Sequence, residues 1–89
     1  MLSAIHFKEF ESQVVSATYQ NLMIGAKVVL VDIENGLPLP EPVASITSRA
    51  PNGMVRLRLP ASFKSGTYYL LALNGHGARV AQSSSFNVG

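Results

Sequence analysis

Two histidines, five carboxylates and a scatter of serines are the groups in this 89-residue chain best suited to acid–base, nucleophilic or metal chemistry. Their spacing does not assemble them. His6 and His76 lie near opposite ends of the chain, while Glu9, Glu11, Asp32, Glu34 and Glu41 all fall in the first half. No H-x-x-x-H or comparable metal spacing occurs. No G-x-S-x-G elbow presents a serine, and neither histidine stands in a triad-like place. The chain has no cysteine, which excludes disulfides and thiolate metal sites. Asp32, Glu34 and Asn35 could share a calcium ion if Glu41 folded back, but the spacing fits no calcium loop and a solvated strand end is the simpler expectation. The expectation is a protein that is not an enzyme, with no catalytic residue, no metal site and no cofactor.

Binding chemistry is better placed. Asn74-Gly75-His76-Gly77 is glycine-rich, but a phosphate cradle needs a helix N-terminus to follow it, and here an extended segment follows. The glycines therefore read as turn formers, with His76 at an exposed hairpin tip. Loops carried on a rigid scaffold are where recognition concentrates, so Asn74, His76 and Arg79 are candidate contact residues. Arg56 and Arg58, two apart on a strand, share one face. They are the polar side of an amphipathic strand or, as further binding candidates, part of a charged contact patch.

The elements that must position these residues are extended throughout. Ala4 to Phe10 alternates, with Ile5 and Phe7 on one face and His6, Lys8 and Phe10 on the other. The same residues could open a helix to about Tyr19, but Val14-Val15 and Thr18-Tyr19 favour an extended segment kinked near Glu11 to Gln13. Lys27 to Ile33 is the strongest strand, bounded by Gly25 and by Asn35-Gly36. Its Val29, Val31 and Ile33 face carries no charge and is expected to be the buried one, against Val28, Leu30 and Asp32. Leu37 to Pro42 holds three prolines, which lack a backbone donor, so it is a connector or an edge. Val43 to Ser48 is a short strand, and Ala50-Pro51-Asn52-Gly53 a turn. Met54 to Leu59 alternates, with Val55, Leu57 and Leu59 inward and the arginines in water. Thr67 to Leu73 is apolar on both faces, as in a covered central strand, and a last segment ends in Phe86 and Val88.

Composition bounds the whole. A chain of 89 residues makes one domain, 1–89. Hydrophobic residues are 47% and charged residues only 13%, against an ordinary charged share of about 25%. Part of the surface is therefore expected to be covered, by a protein partner or by self-association, unless Ser, Thr, Asn and Gln supply the polarity instead. A formal charge of +2, with the cations dispersed, argues against nucleic acid. No stretch approaches the roughly 20 apolar residues of a membrane span. The N-terminus lacks the basic start and apolar core of a signal peptide, which favours a cytoplasmic or virion location.

The run SGTYYLLALNGHGARVAQSSSFNV resembles the last two strands of immunoglobulin-like and fibronectin type III-like sandwiches, through Gly66, Tyr68, Leu70, Ala72, Asn74, Gly77, Ser85 and Val88. The preceding RLRLPASFKSG resembles the C-terminal sandwich of galactose-oxidase-like proteins and fungal Knh-like cell-wall domains. The likeness covers residues 54 to 89; the missing Cys pair and Trp depart from the antibody type. It implies an all-β fold, an Ig-like antiparallel β-sandwich of about seven strands, with the Tyr68 ring in the core and its hydroxyl on nearby backbone. Tyr69, pointing the other way, is then partly exposed. The class implied is a non-catalytic structural or protein-interaction module, a component of a larger assembly such as a virion or surface structure. The alternative is an accessory carbohydrate-binding or spacer module of a secreted enzyme or cell-wall protein, which would need coplanar exposed aromatics.

Overall fold

The computed structural model describes residues 2–89, and they fold as eight strands in two antiparallel sheets with no helix. The strands are β1 (Ala4–Glu11), β2 (Val14–Gln20), β3 (Lys27–Asp32), β4 (Pro38–Ser45), β5 (Gly53–Arg58), β6 (Gly66–Leu73), β7 (Arg79–Gln82) and β8 (Phe86–Val88). One sheet has the order β1-β2-β5; the other has β4-β3-β6-β7, with β8 also pairing β6. Met1, the first residue of the N-terminal segment, lies outside the described residues.

The layers pack through a core of alternating side chains, as a two-sheet sandwich requires. Ile5, Val15, Ala17, Tyr19, Val55, Leu57 and Leu59 come from the first sheet and its margin; Val28, Leu30, Tyr68, Leu70, Ala72, Phe86 and Val88 come from the second. The all-β antiparallel sandwich that the likeness implied is present. Val55, Leu57 and Leu59 are buried and Arg56 and Arg58 exposed, as their alternation requires. Tyr68 is 2% exposed. Its hydroxyl donates to the Lys64 carbonyl at 2.8 Å, four residues upstream, the arrangement called a tyrosine corner. Its ring packs against Phe63 with centroids 5.2 Å apart.

Four local expectations need correction. The kinked segment from Ala4 to Tyr19 is a hairpin: Ser12 (φ 52°) and Gln13 (φ 64°) both adopt left-handed backbone and reverse the chain. Neither is a residue that favours that conformation, so the turn carried no sequence mark. Phe10 packs on the core side with Phe7 rather than opposite it, because the β1–β2 register shifts between Phe7 and Glu9 and the extra residue resets the alternation. On β3 the inter-sheet core takes Val28 and Leu30; Val29 and Val31 are buried on the outer side, and Ile33 is 49% exposed. Asp32 did not veto the inner face, because it ends the strand and its Oδ1 accepts the Glu34 N–H at 3.0 Å.

Finally, the last segment is two strands, not one. Ser83 interrupts it: Leu70 N–H donates to Ser83 Oγ and Ser83 N–H to the Leu70 carbonyl, both at 2.9 Å, so a side chain substitutes for one ladder partner. The proline-rich segment becomes part of β4, an edge strand paired only with β3.

Candidate functional site

The β2–β3 and β6–β7 connections meet at one end of the sandwich. Residues 23–26 form a tight turn in which Ala26 N–H donates to the Met23 carbonyl at 3.0 Å, with Gly25 at φ +95°. Gly25 N–H reaches the Ile46 carbonyl at 2.9 Å, and Ile46 N–H returns to Ala26 at 2.8 Å, which ties the turn to the segment after β4. Positive φ at Gly25 is the reason a side chain is absent there. The turn holds Met23 and Ile24 outward, 70% and 58% exposed.

Beside it stands the Asn74–Ala78 loop. Asn74 organises this loop from within: its Oδ1 accepts from His76 N–H at 2.9 Å and from Ala78 N–H at 3.0 Å. Its main chain closes the same turn, donating to Ala78 and accepting from Gly77, both at 2.9 Å. A Cβ on Gly75 would stand 4.0 Å from the Gly25 carbonyl, so the two loops are in contact. Between them lies a cleft of about 160 Å³, lined by Ser3, Asn21, Leu22, Met23, Ala26, Asn74, Gly75 and Val80. Asn21 stitches its margin, its Nδ2 donating to the Leu2 carbonyl at 2.8 Å and its N–H to Asn52 Oδ1 at 3.2 Å.

The five candidate binding residues do not form one site. His76 is exposed on the loop end, and Asn74 is half-buried as its internal brace. Arg79 opens β7, opposite Leu73, and faces outward from the second sheet near the same end. Arg56 and Arg58 lie on β5, paired with Ser16 and Val14, on the outer side of the first sheet. Met23 and Ile24 were missed by sequence reasoning. A Met-Ile-Gly run offers no polar signature, and only the fold shows that these two side chains have no core to enter.

Among the described residues no group of three His, Cys, Asp or Glu side chains converges. Asp32 and Asn35 serve the β3–β4 turn: Asn35 Oδ1 accepts Leu37 N–H at 2.9 Å, and Gly36 N–H donates to the Asp32 carbonyl at 2.8 Å. A shallow open groove of about 800 Å³ runs between the edge strands β4 and β5, lined by Pro40, Glu41, Pro42, Val43, Arg58, Leu59 and Pro60. The aromatic rings are mostly committed to packing: Phe7 stacks on Phe86, Phe63 leans tilted against Tyr68, Tyr19 is 4% exposed, and Phe10 packs against the same core. Tyr69 is half-buried on the outer side of the second sheet. Among the described residues no helix is long and apolar enough to cross a membrane. No protein-family model, curated protein or solved structure matches the chain.

Proposed function

We propose that this chain is a non-catalytic protein-interaction module, an Ig-like sandwich that docks onto a protein partner in a larger assembly through its loop-bearing end. The observation that carries this reading is the pair Met23 and Ile24, 70% and 58% exposed on a turn pinned by main-chain hydrogen bonds. A large apolar side chain carried into water on a fixed main chain is ready for a partner. The backbone ordering is already spent, and full burial returns about 1.5–3 kcal/mol per side chain, less the cost of fixing its rotamers. His76 and the small cleft beside it add polar contacts at the rim of such a patch. The tyrosine corner and the pairing of three strands against a larger sheet support the Ig-like assignment.

The test compares three baits: the wild type, M23S/I24S, and R56S/R58S, whose changes lie on the far side of the first sheet. A protein retained by the wild type and by R56S/R58S, but lost with M23S/I24S, supports the loop end as the contact. Retention that survives M23S/I24S overturns it. A glycan array with specific hits would favour the carbohydrate-binding alternative instead; that alternative lacks a pair of coplanar exposed rings among the described residues.

A further inference from the structure

The two outer faces of the sandwich are unlike. The first sheet turns His6, Thr18, Arg56 and Arg58 outward with Met54, 54% exposed, among them, a mainly polar face. The second sheet carries a separate apolar cluster on its outer side: Val29, Val31 and Leu71 are buried at 6%, 0% and 1% exposure, flanked by Tyr69 and Leu73. Val43, paired with Val29, and Ile33, next along β3, extend the stripe at 43% and 49% exposure. Tyr69 and Leu73 pack against Val29, Val31 and Leu71, so the apolar surface that the face presents to solvent is made by Tyr69, Leu73, Val43 and Ile33.

The charges at its two ends say what fits there. Lys27, Leu73 and Arg79 are register partners across β3, β6 and β7, so one end is basic. Glu34, exposed in the turn that follows β3, makes the other end acidic, about 17 Å from Lys27 along the strand at 3.3 Å per residue. That separation exceeds the Debye length of about 8 Å at physiological salt, so a partner meets two distinct poles. Lys64, whose carbonyl accepts the Tyr68 hydroxyl, is an exposed cation near the acidic end.

We propose that the outer face of β4-β3-β6-β7 is an interface with a second copy of this chain, related by a twofold axis that lies in the interface and crosses the strands. That axis reverses strand direction, so each copy's Lys27–Arg79 end covers the other's Glu34 end while the apolar stripes meet in the middle. The alternative twofold, along the strands, stacks like charge on like and is disfavoured. An isologous contact of this kind closes at two copies. It is independent of the loop-end reading, because Met23 and Ile24 lie outside the stripe.

Sedimentation equilibrium of the full chain, from about 1 μM to about 1 mM, spans the range of weak dimers. The wild type dimerises, more weakly at high salt. K27E and E34K, each placing two like-charge contacts in the dimer, weaken association about tenfold or more. The double swap K27E/E34K restores most of the loss, and I33S/V43S weakens the dimer without touching the charges. All four positions are solvent-exposed, and circular dichroism with thermal melts verifies that each variant is folded. M23S/I24S leaves the dimer unchanged, which separates failure here from failure of the loop-end contact. A wild type that stays monomeric at about 1 mM, a dimer indifferent to both I33S/V43S and the charge changes, or a double swap no better than its single changes overturns the proposal.

Discussion

Tyr68 anchors the second sheet with both ends of its side chain, the ring against Phe63 and the hydroxyl on the Lys64 carbonyl. Burial, and then the nearby charges of Asp32 and Glu34, raise its pKa above the ordinary tyrosine value. An unfolded phenol loses its proton near pH 10, while the folded one keeps it to higher pH. Above about pH 10 the folded state therefore holds the extra proton, and stability falls as pH rises. Y68F should lower stability by about 1–2 kcal/mol at pH 7, the worth of a lost hydrogen bond that strands a carbonyl. The gap between variant and wild type should narrow above pH 10, as urea titrations at the two pH values would show. The core place of Tyr68 was implied by the resemblance of its run to a sandwich strand, since alternation alone leaves both faces of this apolar strand open. Gly53 was legible only as a turn former. It is also the cross-strand partner of Tyr19, and a Cβ there would stand 2.7 Å from the Tyr19 hydroxyl oxygen and 2.9 Å from Cζ. G53A should displace that buried ring and cost about 1–3 kcal/mol. A loss under 0.5 kcal/mol in a denaturant melt would show that the ring moves freely.

At the scale of the element, the β1–β2 hairpin was the hardest feature to read. Its reversal rests on Ser12 and Gln13 in left-handed backbone, where Asn and Gly are the usual occupants. Replacing them, S12N/Q13G, should raise stability by about 0.5–1 kcal/mol by removing that strain. A thermal melt that does not rise would show that the turn does not need left-handed residues. The strand β5, by contrast, was legible in full, because a clean two-residue period with arginines on one side leaves one way to bury it. β3 was legible as a strand but not in its orientation. Both of its faces are apolar, and only the neighbours it acquires in the sheet decide which side meets the core.

In the whole molecule the two sheets are locked at one side by Phe7 of β1 against Phe86 of β8, rings stacked 4.0 Å apart and 7° from parallel. A double-mutant cycle on F7A and F86A should return a coupling of about 0.5–1.5 kcal/mol, the usual worth of an aromatic pair beyond its burial. Additive losses would mean the two rings act separately. The low charged share of the chain, 13%, takes a location at this scale. The first sheet's outer side is mainly polar, while the second sheet's carries an apolar stripe with Lys27 and Arg79 at one end. Composition raised the expectation of a covered surface, beside the alternative that Ser, Thr, Asn and Gln supply the polarity, and gave it no location.

The amino-acid sequence alone determined that the chain is extended throughout, that β3 and β6 are strands, and that β5 turns Val55, Leu57 and Leu59 inward. Those are local consequences of period, punctuation and side-chain polarity. The tertiary structure decided the hairpin at Ser12–Gln13, the inner face of β3, the exposure of Met23 and Ile24 and the stripe on the second sheet. Each of these depends on which strands become neighbours. Pairing between residues far apart in the chain is settled by the sum of many weak contacts, and no short stretch of sequence carries that sum.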